Sequence, residues 1–208
     1  SSYSLKETNK LSFHFFLAHL LSVAFLSIDN FIISSTLGAQ ETAGYSIVTK
    51  IYFTLITIFS ILLIHFWNSV TEAFENANFQ WILKKVTFLI KISFVLFFLG
   101  LLISVFQENI LSLWLGENNL NLESSTFYLY SFYLLFHCIN AIFVNIQNGL
   151  GFLKIQIITA IFALITYILA CYFVDIVYYG YNVIIMIKVA IMGLSLVFNS
   201  FILKKIKG

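Results

Sequence analysis

The composition of this 208-residue chain excludes an ordinary soluble domain, because 61% of its residues are hydrophobic and only 10% are charged; soluble domains carry roughly 25% charged residues. The net charge of +2 is small, all eleven basic residues are lysines, and no basic stretch is interleaved with aromatic residues, so nucleic acid is excluded as a partner. Both cysteines, Cys138 and Cys171, lie in apolar stretches and are predicted to pack as small hydrophobic side chains. The chain is therefore expected in a lipid bilayer.

Six apolar runs follow one another along the chain, and each is long enough to cross a bilayer. A transmembrane helix needs about 20 mostly apolar residues to cross a hydrocarbon core roughly 30 Å thick. The predicted helices are residues 12–36, 45–68, 86–106, 126–148, 155–174 and 183–203. Because most connections are short, neighbouring helices are predicted to be antiparallel. The predicted fold class is all-α, a polytopic membrane protein whose six helices form a single lobe.

The two long connections have different characters. Residues 69–85 form a polar connection with a predicted amphipathic turn around Glu72 to Trp81. Residues 107–125 form an acidic loop that is rich in asparagine. Trp67, Trp81 and Trp114 lie where aromatic rings favour the level of the lipid head groups.

Lysines and acidic residues alternate between the connections, and this alternation predicts the orientation in the membrane. One set of connections and the two ends of the chain carry Lys6, Lys10, Lys84, Lys85, Lys154, Lys204, Lys205 and Lys207. The other set carries Glu41, Glu108, Glu117, Glu123 and Asp175. Cationic loops stay on the cytoplasmic side of a bilayer. Both termini of this segment are therefore predicted to be cytoplasmic, and the acidic connections to be outside.

Three of the charged residues inside the predicted helices are candidates for a substrate path. Asp29 and Lys50 are symmetric about the turn between the first two helices, and Lys188 is predicted to lie at the same depth. Because a charge inside a bilayer is costly, such residues face a protein interior or a water-filled cavity. Two readings stay open: a cationic path for an anionic substrate with Asp29 as counter-ion, or an Asp29–Lys50 ion pair with Lys188 reaching outward.

The fourth predicted helix carries a second set of polar residues on one face. His137, Asn140 and Asn148 fall within about 60–80° of one another at 100° per residue. They are predicted either to hydrogen-bond between helices or to line a substrate path. The remaining histidines show no ligand spacing with acidic residues or cysteines, so no metal and no cofactor is assigned. No catalytic set of residues is found, and an enzyme is not predicted.

Several short motifs occur in a fixed order between residues 28 and 156. The motif segments are residues 28–34, 37–41, 43–47, 66–67, 72–73, 81–82, 113–116, 148–151 and 154–156. Their characteristic residues are Asp29, Gly38, Lys50 (which follows the segment 43–47), Trp67, Glu72, Trp81, Trp114 and Gly149. In order and spacing they resemble the carboxy-terminal half of the bacterial O-antigen and polysaccharide flippases (Wzx-type) of the multidrug/oligosaccharidyl-lipid/polysaccharide exporter superfamily. The chain departs from that pattern at His65, where the family usually has proline.

The resemblance implies one six-helix lobe of a twelve-helix exporter, so the chain is expected to be a fragment whose amino-terminal lobe is its partner. Its opening residues, which lack methionine, agree with that expectation. The implied activity moves undecaprenyl-diphosphate-linked oligosaccharide, an O-antigen or capsule repeat unit, from the inner to the outer leaflet of the bacterial cytoplasmic membrane. Protonation of Asp29 is a further hypothesis for coupling this movement to an ion gradient.

Three other functions stay open at this stage. A cation-coupled drug exporter of the same superfamily would need anionic groups inside the lobe. Lysines outnumber carboxylates within the predicted helices, and this excess favours an anionic substrate over a cationic drug. A membrane enzyme of envelope polysaccharide assembly would need an arginine-rich or histidine-centred loop, and the chain has no arginine. A non-transporting scaffold subunit would fit a chain that is complete as given.

Overall fold

The structure, a computed structural model, describes residues 5–116 and 122–202, and this part of the chain is all-α. Its helices are α1 (Leu5–Thr36), α2 (Ala39–Leu63), α3 (Phe66–Glu75), α4 (Phe79–Val105), α5 (Gln107–Leu115), α6 (Ser124–Gly149), α7 (Leu153–Phe173), α8 (Ile176–Tyr179) and α9 (Asn182–Ser200). Six stretches are long and apolar enough to span a membrane, in α1, α2 with α3, α4, α6, α7 and α9. The predicted class, a multi-pass all-α membrane protein, is confirmed.

The turn between α1 and α2 depends on a glycine. Only Leu37 and Gly38 separate the two helices, and Gly38 has a φ of +91°. Side chains with a β-carbon rarely adopt this backbone conformation, whereas glycine adopts it freely. Gly38 thereby allows α2 to begin at Ala39, six residues earlier than predicted.

The polar connection predicted at 69–85 contains more helix than expected. α2 ends at Leu63 and, after a turn at Ile64 and His65, the chain continues as α3. α3 buries Phe66, Val70 and Ala73 against α6 and exposes polar residues on its other side. The interruption occurs without proline, at the position where His65 departs from the family pattern.

α4 begins at Phe79, seven residues before the predicted start. The side chain of Asn78 accepts a hydrogen bond from the backbone N–H of Trp81 at 3.2 Å, which satisfies one of the unpaired donors at a helix start. The Lys85 ammonium lies 5.7 Å from the Trp81 ring centroid. The prediction that Trp81 lies in a connecting loop is wrong. The Asn78 cap starts α4 at Phe79, so Trp81 lies in its first turn.

The acidic connection also contains a helix, α5, where a loop was predicted. Trp114 lies at its end with 54% of its surface exposed. Glu117 and the asparagine-rich stretch up to Asn121 lie outside the described residues, as do Lys204, Lys205 and Lys207. The acidic end of the bundle is defined here by Glu41, Glu108, Glu123 and Asp175, and the basic end by Lys84, Lys85 and Lys154.

α6 is the centre of the bundle. It packs against α2, α3, α4 and α9, and 56% of its membrane-spanning window is buried, against at most 33% in the other spans. Tyr52 of α2 shows how polar atoms are satisfied in this core: its hydroxyl donates to the carbonyl oxygen of Phe127 at 2.7 Å and lies 3.0 Å from the Ser104 hydroxyl. α1 lies in a second layer, where it packs on α2 and α7, and α7 packs on α9.

Gly149 provides a test of how closely α3 approaches the end of α6. A β-carbon at this position would lie 2.8 Å from the backbone oxygen of Trp67. We expect Gly149→Ala to lower the free energy of unfolding by about 1–3 kcal/mol, because the backbone must move to admit the methyl group. The control is Gly193→Ala, where the nearest atom is 3.9 Å away, and helix propensity predicts a gain of up to about 1 kcal/mol. Thermal unfolding in detergent measures both, and equal effects would contradict the contact.

The sidedness predicted from the lysines can be tested with introduced cysteines. The native Cys138 and Cys171 are buried, so they should contribute little background with a membrane-impermeant maleimide. We expect Glu123→Cys to react from outside intact cells and Lys84→Cys to react only after the membrane is permeabilised. The reverse pattern would contradict the predicted orientation.

Candidate functional site

A buried ion pair joins the first and last transmembrane helices. Lys188 of α9 forms a salt bridge with Asp29 of α1, and the two side chains are only 5% and 3% exposed. The hydroxyl of Tyr45 in α2 donates a hydrogen bond to the same carboxylate oxygen. Tyr167 of α7 donates to the other oxygen at 2.6 Å. One carboxylate thus receives three donors from three different helices.

These four residues meet because each lies at the same height in the bundle. Asp29, Tyr45, Tyr167 and Lys188 are each about two helical turns from the acidic end of their own helix. The antiparallel order of the helices therefore brings them to one level. Tyr45 and Tyr167 were not singled out by the sequence reasoning, although their distance from the helix ends was a signal that could have found them.

Aromatic rings surround the Lys188 ammonium on the sides that Asp29 leaves free. Its nitrogen lies 5.1 Å from the ring centroid of Phe25, 5.6 Å from that of Tyr167 and 5.7 Å from that of Tyr133. The negative faces of aromatic rings attract a cation, and this attraction is strongest where water is excluded. The lysine charge is therefore stabilised by one carboxylate and three rings without solvent.

Tyr181 closes the site towards the acidic end. Its ring packs edge-on against Tyr45, with centroids 5.9 Å apart. Burial raises the pKa of the Tyr181 hydroxyl above its usual value, and a tyrosine is neutral at physiological pH even without such a shift. A neutral aromatic ring thus lies between the ion pair and the carboxylates of the acidic end.

The pairing of Asp29 differs from the one expected from the sequence. Lys50 is exposed and forms no salt bridge within the described ranges, whereas Lys188 is buried rather than reaching outward. Both elements of the Asp29–Lys50 reading are therefore wrong. The physical reason is rotational, because Lys50 is about 140° around α2 from Tyr45, the residue that faces Asp29.

The polar residues of α6 join this helix to α9. Asn140 donates to the carbonyl oxygen of Met192 at 2.9 Å and accepts a hydrogen bond from Asn199 at 3.0 Å. Asn199 in turn accepts one from Gln147 at 2.9 Å. The structure thus places Asn140 in an interhelical network, of which the sequence reasoning missed Gln147 and Asn199. His137 lies on the same helix with its Nδ1 3.4 Å from the Tyr133 hydroxyl.

A polar face on α1 and α2 is the most unusual part of the molecular surface. It is defined by Ser12, His19, Ser27, Asn30 and Ser34 of α1 and by Ser46, Lys50, Thr54 and Thr57 of α2. These positions recur at the three- and four-residue spacing of one helix side, with Phe16 and Val23 between them. Ser46 donates a hydrogen bond to Asn30 at 3.1 Å and thereby joins the two helices.

Lys50 is the residue of this polar face whose contact with lipid tails would cost the most free energy. It lies next to the midpoint of α2, too far from either helix end for its ammonium to reach a head group easily. The hydroxyls of Thr54 and Thr57 donate to carbonyl oxygens of their own helix, so they add little cost. Lys50, Asn30 and His19 are therefore the groups that exclude direct contact between this face and lipid tails.

Apart from Lys91 near the middle of α4, the other exposed helix faces are mainly apolar, whereas the polar face combines a lysine with several hydroxyls and an amide. Exposed residues are Ile155, Ile158, Ile161, Phe162, Ile165, Ile168, Leu169, Tyr172 and Phe173 on α7 after Lys154, and Met186, Ala190, Leu194, Val197 and Phe198 on α9. On α4 the exposed residues after Lys91 are apolar as well. These faces fit lipid, whereas the polar face fits water or protein.

A scan against protein-family models finds no match, and searches among curated proteins and solved structures find none either. Within the described residues, no three histidine, cysteine, aspartate or glutamate side chains come together in a way that could hold a metal ion.

The Asp29–Lys188 pair can be tested by a double-mutant cycle. Lys188→Met leaves the Asp29 charge buried with only the two tyrosine hydroxyls as partners, and such a change costs about 3–5 kcal/mol. We expect Asp29→Asn together with Lys188→Met to restore most of that loss, since no buried charge is left. Unfolding midpoints in detergent measure the cycle.

Lys50→Met serves as the control for that cycle, because it removes an exposed lysine of the same helix bundle. We expect it to change the unfolding midpoint little. Additive effects of the Asp29 and Lys188 substitutions would contradict the pairing.

Proposed function

We propose that this chain is one lobe of a membrane transporter that moves an undecaprenyl-diphosphate-linked oligosaccharide, such as an O-antigen or capsule repeat unit, from the inner to the outer leaflet of the bacterial cytoplasmic membrane. The observation that carries the proposal is the polar face on α1 and α2, with the exposed Lys50 next to the midpoint of α2. The motif resemblance supplies the substrate class.

The polar head group is the obstacle in this reaction. Its hydroxyls and diphosphate would lose their water in crossing the hydrocarbon core, whereas the prenyl tail can remain in lipid. Burying polar or charged groups without partners costs several kcal/mol each. A wall of hydroxyls and amides with one lysine replaces some of the lost water contacts and offers the diphosphate an opposite charge.

The polar face also requires something opposite it. A single wall cannot keep lipid away from Lys50, so a second lobe must close the cavity, and we assign that role to an amino-terminal lobe of the same protein. Two lobes that rock about a site near the midplane give alternating access, as in other transporters built from paired repeats.

The buried ion pair supports this arrangement from behind the polar face. Asp29 lies on the interior side of α1, where it accepts a hydrogen bond from Tyr45 of α2 and binds Lys188 and Tyr167 of the helices beyond. We infer that the pair fixes the polar hairpin to the rest of the lobe, so that the lobe can move as one body. Asp29 contributes to the path by holding its wall and does not line it.

A cation exporter is the second candidate, and the charges on the polar face disfavour it. A cationic drug needs carboxylates near the midplane of that wall. The described residues of the face carry Lys50, and Glu41 lies in the first turn of α2, at the acidic end. The Asp29 carboxylate is turned away and already neutralised by Lys188. An anionic substrate fits these charges better.

Removal of the parent gene tests the proposed function. We expect lipid-linked repeat units to accumulate on the inner leaflet and surface polysaccharide to be lost, because assembly of the sugar continues without export. Normal surface polysaccharide in the deletion strain would contradict the proposal, whichever residues form the path.

Lys50 is the residue of choice for a point test. A hydrogen bond to a charged group is worth about 1.5–3 kcal/mol, so we expect Lys50→Gln to reduce translocation of the lipid-linked sugar roughly ten- to hundredfold. Lys50→Arg should retain most activity, because the charge is kept. The measurement is the appearance of labelled repeat units at the outer leaflet.

The matched control is Lys91→Gln, which removes an exposed lysine of α4 away from the polar face. We expect activity near that of the unaltered protein. Equal losses for Lys50→Gln and Lys91→Gln would indicate a general charge effect and would contradict a specific role for Lys50.

A further inference from the structure

The lipid-facing side of the bundle is not uniformly filled, because a groove of about 280 Å³ runs between α7 and α9. Its walls carry Ile158, Phe162, Ile191, Leu194 and Phe198, and small side chains at Ala163 and Ser195 leave the space between the helices. Thr159 also lines the groove, but its hydroxyl donates to carbonyl oxygens of its own helix at 2.9 and 3.0 Å. The groove therefore offers hydrocarbon surface.

The groove is close to one membrane leaflet in length and lies across the middle of α7. Along α7 it extends from Ile158 to Thr166, which is about 12 Å at 1.5 Å per residue. Half of a hydrocarbon core is about 15 Å thick. At its far end the groove stops at the level of the buried ion pair, since Tyr167 follows Thr166 in the chain and donates to Asp29.

A cation lies at the open end of the groove. Lys154 is exposed in the first turn of α7 and is four residues before Ile158, so the two side chains lie on the same side of the helix. A lysine at this level attracts the phosphate of an anionic lipid, an attraction worth about fivefold in affinity. The order along α7 is thus cation and then apolar groove, which is the order of head group and chain in a lipid.

We propose that the α7–α9 groove is a binding site for an anionic phospholipid of the leaflet at the basic end, with one acyl chain between α7 and α9 and the phosphate beside Lys154. The groove is about as long as half of a hydrocarbon core, so it fits a stretch of one acyl chain, whereas a much longer prenyl chain would leave most of its length outside. This site is separate from the polar face on α1 and α2 and does not rest on the function proposed above.

Photo-crosslinking of the full-length protein in vesicles tests the site without any substitution. The probes are phosphatidylglycerol and phosphatidylcholine, each with a photoreactive diazirine in one acyl chain. We expect phosphatidylglycerol to label α7 and α9 peptides around Phe162 and Leu194 about fivefold more than phosphatidylcholine does. The apolar exposed face of α4 around Phe98 should show no such preference. Equal labelling of the two regions, or by the two probes, would overturn the proposal.

Two substitutions separate the chain contribution from that of the head group. Lys154→Gln should lower labelling by phosphatidylglycerol to the level of phosphatidylcholine, because the phosphate loses its opposite charge. Ser195→Leu should lower labelling by both probes at α7 and α9, because it fills the groove. The control Val95→Phe adds bulk to the exposed face of α4 and should leave this labelling unchanged.

A competition experiment decides between two phosphate-bearing lipids. Unlabelled phosphatidylglycerol should displace the probe at least as well as an undecaprenyl phosphate at equal concentration. A tenfold stronger displacement by the undecaprenyl phosphate would assign the groove to a prenyl chain and overturn the assignment to phospholipid.

Discussion

The bilayer supplies no water to satisfy polar groups, and this constraint explains the two buried polar networks of the bundle. Asp29 meets it by taking three donors from three other helices, with Lys188 as its opposite charge. Asn140 meets it through Asn199 and the backbone of α9. Both solutions join helices that are distant in sequence, so the requirement for partners also fixes how the helices are arranged.

The polar face on α1 and α2 does not meet the constraint within the described structure. Asn30 has Ser46 as a partner, but Lys50 has no acidic partner in the described part of the chain and is exposed near the middle of its helix. The same hairpin thus has two opposite sides: the interior side carries a neutralised carboxylate, and the outer side carries a lysine that still needs water, a substrate or a second lobe. This asymmetry is the physical basis of the transporter proposal.

The sequence allowed the number of spanning helices and the fold class to be predicted, because six apolar runs of sufficient length have few alternatives. The first residues of α4 and α2 were harder to predict from the sequence. The Asn78 cap and the positive φ of Gly38 let these helices begin earlier than their apolar runs do. The candidate residues Asp29 and Lys188 were identified correctly as charges at one depth. To predict that they pair, one must know how each helix is rotated about its own axis. That rotation depends on packing around α6 and cannot be obtained from spacing along the chain.

The interruption between α2 and α3 has a mechanical consequence. Ile64 and His65 both keep right-handed helical angles, at φ, ψ of −53°, −42° and −94°, −10°, so neither a proline ring nor a left-handed residue fixes the junction. It is held by the burial of Phe66, Val70 and Ala73 against α6. The position of α3 therefore depends on its packing against α6, and a shift between these two helices would load the junction with α2, the helix that carries Lys50.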